Sequence, residues 1–208
     1  MFKILIGDDH AIIRKGLRQI LQEEISKCDI DEAADGMDVI QKINEKQYDI
    51  LILDISMPKR NGIDLLNQLK IEKPDIPILI LSIHPEEQYA IRVLKAGAAG
   101  FINKASAPEE LVHAIRKITG GGKYISPVVA EQLATNIHNP GQAPHEHLSD
   151  REYQVMLMIA SGNTTKEIAE ELSLSVKTIS TYRARLLEKM ELDNNAKLTK
   201  YVLQHNLL

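Results

Sequence analysis

The residues Ile50-Leu51-Ile52-Leu53-Asp54 form an unbroken apolar run that ends on a carboxylate. Apolar runs without alternation are typical of strands that are buried on both faces of a sheet. Similar runs cover residues 3–7 and 76–81, and weaker ones cover residues 30–34 and 100–103. Stretches with helical spacing of apolar residues lie between these runs. Five strand–helix repeats predict a five-stranded, doubly wound parallel sheet of the α/β class, with helices on both faces.

The helix after the fifth run carries the clearest local signals of this first part. Ser106 and Glu109 have the spacing of a capping box, with Pro108 between them, so the helix is expected to begin at Ser106. Three consecutive glycines at 120–122 are expected to end it. The first predicted domain therefore covers residues 1–120.

The composition limits what the chain can be. It has 208 residues, 44% of them hydrophobic and 26% charged, with a formal net charge of -4. At ~100–200 residues per domain, this length predicts one large domain or two small ones. A uniformly basic nucleic-acid binder is excluded, although a local basic face is not. With Cys28 as the single cysteine, disulfides within the chain are excluded and an inert thiol is expected. No apolar run approaches a membrane span, and we expect a cytoplasmic protein.

The second half of the chain changes character. Residues 121–147 are predicted to be a linker with a short helix that Ser126 caps, and the Pro- and Gly-containing stretch 139–144 is expected to be flexible. Beyond it, residues 148–208 show helical patterns throughout. Four helices are predicted there. Their expected start signals are two capping boxes, Ser149 with Glu152 and Thr164 with Glu167, then the N-cap Ser175, and the start of a last helix near Asn195.

Polar side chains follow the apolar runs at the points where the predicted strands end. These are Asp8, Asp9, Asp54, Ser82 and Lys104. In an open parallel sheet, ligands bind at the carboxyl ends of the strands, so all five are expected on one rim. Three carboxylates repel one another unless a cation joins them, and hard oxygen ligands suit Mg²⁺. A carboxylate beside Mg²⁺ and a lysine can attack a phosphoryl group. Ser82 and Lys104 would then hold the phosphoryl oxygens.

This set of residues, with the stretch 54–62 (Asp-Ile-Ser-Met-Pro-Lys-Arg-Asn-Gly) and Phe101-Ile102-Asn103-Lys104, resembles the receiver domain of two-component response regulators, which has a flavodoxin-like fold. The resemblance implies that Asp54 is the phosphoacceptor, Ser82 the switch hydroxyl, Phe101 the switch aromatic and Lys104 the cation that contacts the phosphoryl group. It implies Mg²⁺ as the cofactor, with these ligands: Asp8, Asp9, Asp54 and the backbone carbonyl of Ser56. Many receivers have proline after the lysine. Here the residue is Ala105.

Each of these residues alone has an ordinary structural explanation. An Asp-Asp pair is commonly a solvated turn, Phe101 a core residue and Lys104 a surface charge. These separate explanations do not account for polar residues at the ends of several strands, so the combined pattern favours a functional site. His84, by contrast, is interpreted as a surface loop residue.

The helix predicted over residues 176–190 has two different faces. Its apolar stripe includes Val176, Ile179 and Leu186, while the opposite face carries small and basic residues. A short turn joins it to the preceding helix, as in a helix-turn-helix whose second helix enters the major groove. The stretch 148–179 resembles the LuxR/NarL-type helix-turn-helix. The candidate DNA-contacting residues are Lys166, Lys177, Ser180, Thr181, Arg183, Ala184, Arg185 and Lys189.

Together the two resemblances imply a transcription factor of the NarL/FixJ type rather than an enzyme. Its expected partners are a sensor histidine kinase, double-stranded promoter DNA and, when phosphorylated, a second copy of itself, with no membrane contact. Two alternatives remain open. One is an aspartyl-phosphate phosphatase, although Ser56 stands where such enzymes carry a general acid. The other is a regulator whose helical domain binds protein or RNA.

Overall fold

A computed structural model describes residues 1–57, 62–138, 143–205 and 207–208. The chain divides into two compact units, Met1–Leu133 and Ala134–Leu208, and the division falls inside the segment 121–147 that the sequence marks as a linker. Part of the stretch 139–144 and residues 58–61 of the receiver-like motif lie outside the described residues.

The first unit is built on a five-stranded parallel sheet with the order β2-β1-β3-β4-β5. The strands are β1 (Phe2–Gly7), β2 (Cys28–Ala33), β3 (Ile50–Asp54), β4 (Ile78–Ser82) and β5 (Gly100–Asn103). Every residue of β3 and β4 is buried, which explains why their sequences are apolar without alternation. The predicted fold class is confirmed. The chain order reverses at β1, so the topological switch point lies between β1 and β3.

Helices cover both faces of this sheet. They are α1 (Ala11–Glu24), α2 (Gly36–Glu45), α3 (Gly62–Glu72), α4 (Glu86–Lys95) and α5 (Ala107–Thr119). On one face, Leu21 of α1 and Leu111 of α5 share a buried core with Ile4 and Ile6 of β1. At ~25 cal/mol per Å² of buried apolar surface, such cores supply most of the stability of a domain this size.

The start of α5 differs from the expectation. Ser106 is the N-cap residue, but its side chain makes no capping bond. Its hydroxyl donates instead to the carbonyl of Asn103, 3.2 Å away. The capping box with Glu109 is therefore wrong. The reason is local: the Ser106 backbone is helical rather than extended, and a side-chain cap needs the extended form.

The segment after α5 returns to the sheet before it forms another helix. Tyr124 donates its backbone N–H to Ala99 at 2.8 Å and forms an isolated parallel bridge with Gly100. Helix α6 (Pro127–His138) follows, and Ser126 Oγ accepts from the Val129 N–H at 3.3 Å. Its 12 residues make it longer than the short helix expected in the linker.

The second unit contains a 3₁₀ turn (Pro144–His147) and these helices: α7 (Asp150–Ala160), α8 (Thr165–Glu171), α9 (Val176–Lys189) and α10 (Asn195–Gln204). The structure confirms both predicted capping boxes, at the starts of α7 and α8, and the Ser175 cap of α9. The apolar stripe of α9 needs one correction. Val176 is 47% exposed, because the first residue of the helix lies beyond the packed interface. In the described part of the chain, no helix is long and apolar enough to cross a membrane.

Two glycines provide opposite tests of the packing in the first unit. A Cβ on Gly62 would lie 2.6 Å from both the Asp54 carbonyl oxygen and the Ile55 Cα. We expect Gly62→Ala to lower the free energy of unfolding by about 1–3 kcal/mol, because the backbone must move. Gly16 lies in α1 with open space around it, so Gly16→Ala should raise it by about 0.5–1 kcal/mol. Urea unfolding of the full chain measures both free energies. Changes of the same sign in the two variants would contradict this packing.

Candidate functional site

The structure brings the predicted carboxylates together at the carboxyl ends of β1 and β3. Asp8 and Asp9 follow β1 directly, and Asp54 is the last residue of β3. Potential ligand atoms of Asp8, Asp9, His10 and Asp54 all lie within 4.8 Å of one another. Asp54 is 0% exposed and Asp8 is 1% exposed. Carboxylates buried this deeply need positive charge nearby.

Lys104 supplies that positive charge from the end of β5. Its Nζ donates to Asp54 Oδ2 at 2.7 Å and lies 2.6 Å from Asp8 Oδ2. The Lys104 side chain is itself almost fully buried. The sequence prediction that these residues share one rim therefore holds in the structure.

Burial and charge act in opposite directions on these groups. Burial raises the pKa of Asp54, while the Lys104 ammonium and the Ser56 N–H act against this, and the net pKa is raised. Burial lowers the pKa of Lys104, but the carboxylates of Asp54 and Asp8 outweigh it and the net pKa is raised. Lys104 therefore stays charged at neutral pH.

The carboxylates of Asp8, Asp9 and Asp54, which we call the acidic cluster, include oxygens that a further cation could use. Among the described residues, Asp8 Oδ2 and Asp9 Oδ1 are buried oxygens without a hydrogen-bond partner. The distance from Lys104 to Asp8 Oδ2 is an ion-pair distance without hydrogen-bond geometry, and the same holds for His10 Nδ1, 2.9 Å from Asp9 Oδ1. Buried carboxylate oxygens with unused lone pairs fit a hard cation such as Mg²⁺. The residues present therefore fit the ion that the resemblance implies.

Ser82 and Phe101 are both buried, but they lie at different positions in the sheet. Ser82 is fully buried at the end of β4, and its Oγ accepts from the His84 N–H at 2.9 Å. Phe101 pairs with Ile80 in the register of β4 and β5, and its ring is buried. In this structure the ring is therefore not on the outer surface of the sheet.

Two histidines next to the site were not recognised from the sequence. His10 lies against both Asp8 and Asp9, and its position directly after the Asp pair was the available signal. His84 is not the surface residue that was expected. It is half-buried, its ring stacks on Tyr89, and its Nε2 lies 3.4 Å from Ser56 Oγ. Burial and then the nearby Lys104 charge lower the pKa of His84.

Helix α9 presents a polar face in the second unit. A shallow groove of about 270 Å³ runs along it, lined by Ser175, Lys177, Thr178, Thr181, Tyr182 and Arg185. Three of these lining residues, Lys177, Thr181 and Arg185, are predicted DNA contacts. Ser175, Thr178 and Tyr182 were not predicted. The hydroxyls of Ser180 and Thr181 donate to the carbonyls of Val176 and Lys177, which leaves their lone pairs available.

Two of the predicted DNA contacts make bonds inside the second unit. Arg183 Nε donates to Asn195 Oδ1 at 2.6 Å. Lys189 Nζ lies 2.6 Å from Glu152 Oε2, a carboxylate that is almost fully buried. Lys166 is exposed, and its Nζ lies 3.9 Å from Glu170 Oε1. This long distance is typical of a weak surface ion pair. Ala184 and Arg185 are exposed.

Comparison with known families divides the chain in the same way. Residues 4–116 match the response regulator receiver domain. Residues 146–202 match the bacterial regulatory proteins of the luxR family. The receiver match alone covers more than half of the chain and contains every residue of the acidic cluster.

Several known proteins match this chain over nearly its whole length. The response regulator UvrY of Escherichia coli K12 is 35% identical over 100% of this chain and 96% of its own length. The oxygen regulatory protein NreC of Staphylococcus carnosus is 37% identical over 99% of both chains. A structure of RcsB from Salmonella enterica serovar Typhimurium, bound to promoter rprA in the presence of phosphomimetic BeF3-, matches 97% of this chain and 98% of that one, with 27% identity and a TM-score of 0.66. The chain therefore belongs to the NarL/FixJ-type response regulators, DNA-binding transcription regulators in which a receiver domain precedes a LuxR-type helix-turn-helix domain.

Proposed function

We propose that Asp54 accepts a phosphoryl group from a partner histidine kinase and that this event controls DNA binding by the helical domain. The contact that carries the proposal is Lys104 Nζ on Asp54 Oδ2 at 2.7 Å. It places a cation where negative charge gathers during phosphoryl transfer. A carboxylate oxygen of Asp54 bonds to phosphorus, the bond between phosphorus and the donor atom breaks, and the leaving group keeps that electron pair.

The surrounding groups would orient this transfer. The Ser56 N–H donates to Asp54 Oδ1 at 3.0 Å. The other oxygen, Oδ2, accepts from Lys104, and the two contacts together fix the plane of the carboxylate. Asp8, Asp9, Asp54 and the backbone carbonyl of Ser56 would hold Mg²⁺. When bound, Mg²⁺ would neutralise charge on the transferring phosphoryl oxygens. Lys104 and the Ser82 hydroxyl would then bind two of those oxygens, and the buried Phe101 would respond to the changed position of Ser82.

Intact-mass spectrometry tests the phosphoacceptor directly. Acetyl phosphate with Mg²⁺ should add one phosphoryl group to the wild-type chain, because acetate is a good leaving group and Asp54 is held for attack. Asp54→Asn or chelation of the metal should abolish the labelling. Equal labelling of the Asn variant would contradict the assignment. A generic phosphate ester should not be turned over, and steady turnover would favour a phosphatase instead.

Helix α9 is the proposed recognition element for double-stranded DNA. Lys177 and Arg185 are exposed cations that line the same groove, where they would meet backbone phosphates. Ser180, Thr181 and Ala184 are small and exposed, which would allow close approach to base edges. The contacts of Lys189 with Glu152 and of Arg183 with Asn195 favour roles inside the domain for these two residues.

Lys177 and Lys189 form a matched pair for testing this assignment. Lys177→Ala should weaken binding to all DNA sequences and reduce the slope of log affinity against log salt by about one unit, because one phosphate contact is lost. Lys189→Met should leave that slope unchanged. It should instead lower the stability of the helical domain by about 1–2 kcal/mol, since the buried Glu152 loses its partner while water partly screens the site. Fluorescence anisotropy at several salt concentrations and urea unfolding measure the two effects.

The pKa of Glu152 adds a second check on the same pair. Burial alone raises this pKa, but Lys189 and the Ser149 hydrogen bonds outweigh it and the net pKa is lowered. The contribution of Glu152 to stability is therefore present at neutral pH and is lost as pH falls through its pKa in the folded chain. Lys189→Met should weaken this acid dependence. An unchanged acid profile together with a reduced salt slope would show that Lys189 contacts DNA instead.

Phosphorylation is expected to act through dimers. In α10, Leu198 and Val202 are buried, whereas Leu203 is exposed and would be available to a second copy. A symmetric dimer reads two half-sites about one helical turn apart. A structure of two RcsB dimers bound to two parallel DNAs, which has 28% identity to this chain and a TM-score of 0.61, supports dimeric binding.

Sedimentation and DNA titration test this regulation. Phosphorylation at Asp54 should raise the dimer fraction and tighten binding to a two-half-site DNA more than to a single half-site. Leu203→Ser should lower the dimer fraction and, because Leu203 is exposed, change the stability by only about 0.5 kcal/mol. Equal dimerisation and equal affinity with and without the phosphoryl group would show that Asp54 does not control this output.

A further inference from the structure

Asn103, the last residue of β5, holds two loops of the receiver site at once. Its side-chain Nδ2 donates to the backbone carbonyl of His84 at 3.1 Å. Its Oδ1 accepts from the backbone N–H of Ala105 at 2.9 Å. A carbonyl only accepts and a backbone N–H only donates, so these two partners fix the orientation of the amide group. One side chain therefore joins the loop after β4 to the loop after β5.

The first contact acts on the environment of Ser82. The His84 N–H donates to Ser82 Oγ at 2.9 Å, and the Asn103 amide holds the same histidine by its carbonyl. Because the His84 N–H occupies a lone pair of the hydroxyl, the Ser82 proton remains available to donate to a phosphoryl oxygen. The Asn103 side chain thus supports the orientation in which Ser82 is a donor.

The second contact acts on the turn around Lys104. The Lys104 N–H donates to the Ser82 carbonyl at 2.7 Å, and the Asn103 carbonyl accepts from the Ser106 N–H at 3.1 Å. The Ala105 N–H completes this turn by donating to Asn103 Oδ1. Proline has no N–H to donate, so this bond requires a residue other than proline at position 105, and Ala105 meets that requirement. Ala105, which stands where many receivers have proline, therefore supplies the N–H that the Asn103 side chain accepts.

We propose that Asn103 is a positioning residue for phosphorylation of Asp54, because it places both the Ser82 hydroxyl and the Lys104 ammonium to receive phosphoryl oxygens. This inference rests on the proposed function of Asp54. Asn103 takes no part in the transfer itself, since its amide contacts backbone groups and not the reacting atoms. Its effect is on the geometry of two groups that sit on different loops, which a single substitution would loosen together.

The test is the rate of Asp54 phosphorylation by acetyl phosphate with Mg²⁺, measured by intact mass on the full chain. Asn103→Ala should lower the rate at saturating acetyl phosphate by about five- to tenfold, as expected for lost positioning hydrogen bonds. The acetyl phosphate concentration for half-maximal rate should change by less than about twofold, because the lost contacts matter in the transition state. Mg²⁺ affinity, measured by calorimetry, should be unchanged, because its expected ligands lie at the carboxyl ends of β1 and β3 and not on the loops that Asn103 joins. Asn67→Ala, at an exposed position in α3, is the matched control and should have the wild-type rate.

A double-mutant comparison separates positioning from general loss of structure. In a Ser82→Ala background, Asn103→Ala should cost less than in the wild type, because one of the two positioned groups is already missing. Asn103→Asp keeps the acceptor for Ala105 and the side-chain volume, so it carries the test if the alanine variant does not fold. A wild-type rate for the Asn103 variants, or an equal loss in the Ser82→Ala background, would overturn the proposal. Absence of labelling in the wild type would instead overturn the assignment of Asp54.

Discussion

A buried ammonium between two buried carboxylates governs the architecture of the receiver unit. Lys104 lies within ion-pair distance of both Asp8 and Asp54, and removing Lys104 would leave two buried carboxylates without this partner. The strand order explains why a lysine is needed. β4 separates β5 from β3, so the side chain at the end of β5 must extend across the end of β4 to reach Asp54. That path starts beside Ser82, whose carbonyl accepts from the Lys104 N–H at 2.7 Å.

The sequence predicted the parts of this arrangement that depend on pattern. Strands β3 and β4 are buried on both faces, which requires unbroken apolar runs, and the polar residue at each strand end then falls on the ligand-binding rim. The sequence could not predict contacts set by side-chain direction. His84 turns inward onto Tyr89 and Ser56, although its loop position resembles a surface position. The Ser106 hydroxyl likewise bonds backward to Asn103 instead of capping α5.

The helical domain shows a related limit. The spacing of apolar residues placed Ile179 and Leu186 correctly in the interior, but it put Val176 there as well. Periodicity describes a helix as if its packing continued to both ends, whereas Val176, the first residue of α9, is 47% exposed although Ile179 one turn later is buried. The same pattern could not show which basic side chains of α9 form bonds within the domain. Partners 12 and 37 residues away in sequence, Asn195 and Glu152, bind Arg183 and Lys189.

The bonds that some basic residues of α9 form within the domain affect how that domain would bind DNA. Of the basic residues on α9, Arg183 and Lys189 make bonds within the domain, while Lys177 and Arg185 have no ion pair among the described residues. The chain as a whole is negative, with a formal net charge of -4. Each phosphate contact contributes a limited, salt-dependent share of affinity. On this proposal, a single copy with few available cations would bind weakly, and joining two copies on neighbouring half-sites would raise affinity through effective concentration rather than through new contacts. A signal that changes pairing of the chains can thus control DNA binding without changing the surface of α9.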